Sequence, residues 1–162
     1  MASKQEIASQ YENFSIYVLL NTRGALPGFH WGLFIPTNTP DGLFWHAINR
    51  EGGWKLEHRS YGNVPFSMSL VLAYKIGSVN ASNFQKCKDI LNSILADGTP
   101  SPNTGEAFSC RIWVKDAITG LEKGQIITLE SPVSDVMGRM ADDASNHKDN
   151  VEANAAKPLV VN

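Results

Sequence analysis

The sequence predicts an α+β protein in which an antiparallel β-sheet packs against a helix that carries a cysteine. Three observations lead there. Five short runs rich in β-branched and aromatic residues follow one another between residues 14 and 76, each separated by turn-forming residues. From Ser82 onward the apolar residues change to helical spacing. A dense loop signal, Asp97-Gly98-Thr99-Pro100-Ser101-Pro102-Asn103-Thr104-Gly105, then delivers the chain into a second amphipathic segment, Phe108 to Leu121, with Cys110 in its first turn.

Each strand has its own signal. Phe14 to Leu20 is short, β-branched and aromatic. Arg23 to Gly28 interrupts it, and His30-Trp31-Gly32-Leu33-Phe34-Ile35 is the second strand. Pro36 to Gly42 reads as a turn, Leu43 to Asn49 as the third strand, and Glu51-Gly52-Gly53 as another turn. Trp54 to Arg59 alternates apolar with polar residues, the pattern of a half-exposed strand. Ser67 to Ile76 is the fifth. The short connections predict that sequential neighbours pair antiparallel as a meander.

Ser82 with Gln85 three residues later has the spacing of a capping box. Phe84, Cys87, Ile90, Leu91, Ile94 and Leu95 follow on one helical face, which places Cys87 in the core. Gly120 and Gly124 end the Cys110 helix. Gln125 to Leu129 suggests a short strand and Ser134 to about Met140 a last helix. From Asp142 the composition turns polar, so the expected organisation is a single domain over 1–141 followed by a flexible tail over 142–162.

Composition narrows the function classes. A chain of 162 residues with 43% hydrophobic content builds one globular core without staples. A net charge of −2 and the lack of a basic patch with interleaved aromatics argue against nucleic acid as a partner. Two cysteines form no disulfide framework and suit a reducing, cytoplasmic setting. No apolar run approaches the roughly 18 residues a membrane span requires. Nothing calls for a cofactor. His30, His46, His58 and Cys110 match no standard zinc spacing, and the glycines form no phosphate-binding loop. The four tryptophans, Trp31, Trp45, Trp54 and Trp113, read as core.

The candidate site is Cys110, His30 and His46. A thiol in the first turn of a helix meets unpaired N–H groups and the positive end of the helix dipole, which favour the thiolate. His30 and His46 lie on adjacent strands. A pairing that sets them opposite one another, or two residues out of register, puts both imidazoles on one face of the sheet. An imidazole that takes the thiol proton, oriented by a second polar group, makes a nucleophilic pair.

The run His30-Trp31-Gly32-Leu33-Phe34-Ile35, then Phe44-Trp45-His46-Ala47, then Cys110 opening a helix, resembles the circularly permuted branch of the NlpC-type papain-like superfamily. The pattern is most like its lecithin:retinol acyltransferase-like group. The resemblance implies a permuted papain-like fold and a thiol enzyme that transfers or hydrolyses acyl groups through a thioester on Cys110. It implies His30 as general base and His46 as the residue that orients it, acting on an acyl or other small-molecule substrate. The permuted papain-fold isopeptidases share the same residue order. A binding module on the same fold, and a structural domain in which the histidines lie apart from Cys110, are the competing classes.

Overall fold

The computed structural model describes residues 3–153 and 156–162. These build one six-stranded sheet with three of its four helices on one side. The strands are β1 (Ser15–Thr22), β2 (Phe29–Asn38), β3 (Asp41–Arg50), β4 (Gly53–Tyr61), β5 (Leu70–Ser78) and β6 (Leu159–Val161). The helices are α1 (Lys4–Ala8), α2 (Phe84–Ser93), α3 (Cys110–Lys123) and α4 (Val133–Glu152). The α+β class therefore holds, with a mixed sheet instead of a wholly antiparallel one, because β6 runs parallel to β5.

The spatial order β4-β3-β2-β1-β5-β6 departs from a simple meander at one point. β1 to β4 pair in sequence, but β5 returns to lie beside β1 and not β4. Burial explains the choice. Ile16 to Leu20 and Leu70 to Ala73 are runs without a polar face, and all are buried. Such strands need cover on both faces and a neighbour along each edge. β4 has Lys55, Arg59 and Ser60 exposed, which suits an edge that must resist pairing with another chain. The expected turn at 36–42 tightens, since β2 runs to Asn38 and β3 begins at Asp41.

One face of the sheet holds the larger core. Ile16, Val18, Trp31, Leu33 and Trp45 pack there against Cys87 and Leu91 of α2, Trp113, Val114 and Ala117 of α3, and Met137 and Met140 of α4. The opposite face carries a smaller core of Tyr17, Leu19, Phe34, Leu70 and Ala73. Tyr11, with Ile7 and Val64 beside it, covers that core from the N-terminal segment and the β4–β5 connection.

Several local expectations shift. The capping box at Ser82 and Gln85 does not form. Asn80 takes its place, its Oδ1 accepting from the Ser82 and Asn83 amides at 2.9 and 3.2 Å, while Asn83 Oδ1 accepts from Asn80 N at 2.8 Å. Gln85 instead reaches Asp89. Gln125 to Leu129 is not a strand. Ile126 and Ile127 are buried in a non-repetitive connection, and Ile127 presses on Gly77 of β5.

The last helix is longer than its apolar signal. α4 runs past the expected boundary at 141–142 to Glu152, with Ala144 and Val151 buried, and β6 follows. Its outer face is polar because it meets water, which is why composition alone resembled a tail. Asn162 fastens the segment after β6: its Oδ1 accepts from the Tyr17 hydroxyl at 2.6 Å and its Nδ2 donates to the Gln10 carbonyl at 2.8 Å.

Candidate functional site

The two histidines meet, and a third residue joins them. β2 and β3 pair with Leu33 opposite Trp45 and Phe34 opposite Phe44, a register whose continuation sets His46 across from Gly32. His30 is then two residues out of register, one of the two alignments that share a face. The face is the smaller-core side, where the Phe44 ring lies over Gly32 and 4.5 Å from the His46 ring. Across the next hairpin, Arg50 pairs with Gly53 and so His46 with Glu57. His30 Nε2 is 2.7 Å from His46 Nδ1, and His46 Nε2 is 3.0 Å from Glu57 Oε1.

The proton positions follow from the last member of the chain. An ionised Glu57 only accepts, so His46 Nε2 carries the hydrogen and donates to it. His46 Nδ1 is then an acceptor, and His30 Nε2 donates to it. His30 Nδ1 is left with its lone pair as the basic end of the relay. Glu57 is held by Arg59 Nη2 at 3.1 Å, with Arg50 Nη1 further out at 3.9 Å.

Electrostatics keep both rings neutral. Burial, then the adjacent His46 and Arg23, push the His30 pKa from the ordinary 6.5 down to about 4. Burial lowers His46 as well, against the pull of Glu57 in the other direction. At neutral pH the hydrogen-bonded chain is therefore an uncharged pair of imidazoles on an anchored carboxylate, with the His30 lone pair unprotonated.

Cys110 stands elsewhere. It is the first residue of α3, whose N-cap Ser109 accepts from the Ile112 amide at 3.2 Å, so the predicted helix start is observed. But α3 packs on the larger-core face, the side of Trp31 and Trp45, opposite the imidazoles. The half-buried Cys110 Sγ lies 4.0 Å from the Phe29 carbonyl, and among the described residues it makes no hydrogen bond to either histidine. Residue alternation is the reason: along β2, His30 and Trp31 point to opposite faces. His58 also belongs to the larger-core face, its ring stacked on Trp45 at 4.2 Å and its Nδ1 donating to the Phe44 carbonyl.

A cavity of about 460 Å³ opens on the face of the histidines. β1 and β3 form its floor through Leu19, Asn21 and Phe44, and the β4–β5 connection and Lys4 of α1 form its walls. Asn21 is the cross-strand partner of His30, so cavity and relay occupy neighbouring rungs of the sheet.

Glu57 and Asn21 were not among the sequence-predicted site residues. Glu57 had a signal. A two-residue turn at Glu51-Gly52 dictates that Arg50 faces Gly53, and counting back sets His46 against Glu57. Asn21 had none, because its placement depends on how β1 pairs with β2.

The chain belongs to a family of unknown function, DUF6540, whose model matches residues 16–128. That span holds His30, His46, Glu57 and Cys110 and leaves α1, α4 and β6 outside it. No curated protein and no solved structure matches the chain. No helix among the described residues is long and apolar enough to cross a membrane.

Proposed function

We propose that this protein is a hydrolase or acyltransferase in which His30 is the general base and His46 and Glu57 hold and relay its proton. The observation that carries the reading is the continuous chain from His30 through His46 to Glu57, which leaves one basic nitrogen, His30 Nδ1, at its end. In the forward step, His30 Nδ1 takes a proton from water or from an acceptor hydroxyl or amine, and the oxygen or nitrogen so freed attacks an acyl carbonyl. The His30 Nε2 proton passes to His46 Nδ1, and the positive charge comes to rest beside the Glu57 carboxylate. The proton then returns along the same path to the leaving group as the acyl bond breaks. The acyl class comes from the family resemblance, and the relay is what would serve it.

A second reading keeps Cys110 as nucleophile through a thioester. In its favour, the thiol sits at a capped helix start and beside the carbonyl of Phe29, the residue preceding His30. It needs the His30 ring to cross to the other face of the sheet, and for that reason it ranks second.

Hydrolysis of 4-nitrophenyl acetate separates the two. The relay reading expects His30→Asn to lower kcat by about 100-fold or more and Cys110→Ser to change it little. Loss of turnover in Cys110→Ser, with an acetyl adduct on Cys110 in the wild type, would move the assignment to the thiol. Turnover indifferent to both substitutions would leave a binding module.

A further inference from the structure

The cavity beside the relay has a chemical preference. Its charged lining residue is a cation, Lys4, and no carboxylate lines it among the described residues. Asn21, Asn63 and Ser67 add neutral polar groups, and Phe44 and Phe66 supply aromatic surface. The Lys4 ammonium stands 5.3 Å above the centre of the Phe66 ring, so charge and ring are presented side by side. At about 460 Å³ the space falls within the range of small-molecule sites, roughly 300–1,000 Å³. We infer that the cavity binds a small organic acid, one anionic group on a flat aromatic or branched apolar body, with Lys4 pairing the anion and Phe44 and Phe66 receiving the body. Phe44 also touches the His46 ring, so the bound molecule would lie against the relay. The role of this ligand as substrate rests on the histidine reading above, whereas its binding does not.

The probe is 8-anilino-1-naphthalenesulfonate, followed by fluorescence, with uncharged N-phenyl-1-naphthylamine as its neutral counterpart. The wild-type protein should bind the sulfonate at one site and prefer it over the neutral probe by about tenfold. Lys4→Gln, at an exposed position, should erase that preference while leaving the neutral probe bound. Ser67→Trp, on the exposed connection, should weaken both by filling the space. A sulfonate preference that survives in Lys4→Gln, binding unaffected by Ser67→Trp, or no binding at all would overturn the assignment. His30→Asn should leave both titrations unchanged. If ester hydrolysis also persists in that variant, the histidine reading fails and the cavity assignment stands on its own.

Discussion

At the scale of single residues, the proposed chemistry rests on two imidazoles kept neutral by burial. A folded-state pKa near 4 for His30 means that the folded protein binds fewer protons than the unfolded chain between about pH 4 and the ordinary 6.5. Stability from this group is fully present above pH 6.5 and is lost as the pH falls toward 4. His46, lowered in the same direction, adds to the effect. The charges facing the pair are Arg23, Arg50, Arg59 and Glu57. Urea unfolding measured from pH 7 to 4 should show stability falling across that window, and His30→Asn should flatten part of the slope. The His30 ring protons, followed by NMR, should titrate near pH 4, and Arg23→Gln should raise that midpoint. A midpoint at or above 6.5 would contradict the buried relay.

At the scale of elements, the relay depends on how closely β2 and β3 approach. Gly32 leaves room for the Phe44 ring, and a Cβ at that position would fall 2.6 Å from Phe44 Cε1 and 3.1 Å from the Trp45 carbonyl oxygen. The Phe44 ring would have to turn, and it rests against His46. Gly32→Ala should cost about 1–3 kcal/mol of stability, the usual range for overpacking. It should also move the His46 resonances. Thermal unfolding and NMR check the two effects separately. A variant of wild-type stability with undisturbed His46 would mean that the ring has free space on another side. The loop before α3 is held with comparable care. Buried Asp116 accepts from the Ser101 hydroxyl at 2.6 Å and from Asn103 Nδ2 at 3.0 Å, which sets the entry to the helix that Cys110 opens.

At the scale of the whole molecule, both faces of the sheet are closed by segments distant in sequence. α2, α3 and α4 cover the larger core. The N-terminal segment and the β4–β5 connection cover the smaller one. Asn162, just past β6, ties that strand to the segment around β1, bonding Tyr17 in β1 and Gln10 just before it. Deleting residues 158–162 would remove β6 from the edge of β5 and free the Tyr17 hydroxyl. That deletion should lower stability by about 1–3 kcal/mol, the range for a few lost hydrogen bonds. It should also raise amide exchange in β5 and around Tyr11. Unchanged exchange there would show that β6 adds no support to the sheet.

Local signals in the chain were enough for the strands of the first hairpins, for α2 and α3 and for Cys87 as core, and they allowed His30 and His46 to share a face without forcing it. These follow from side-chain periodicity, turn residues and short connections, which act over a few residues. The β3–β4 register, and with it Glu57, was also within reach of the two-residue turn at Glu51-Gly52. Three features depended on packing between distant segments. β5 left the meander because two strands without a polar face had to share the interior of the sheet. α4 continued through a polar stretch because its inner face, at Ala144 and Val151, met the core. The side of the sheet taken by α3 decided the relation between thiol and imidazoles. Alternation along β2 dictates only that His30 and Trp31 point oppositely. Burial of Trp31 and Trp45 against Trp113 drew the helix, and Cys110 with it, to the tryptophan side, leaving the histidines to face the smaller core and its cavity.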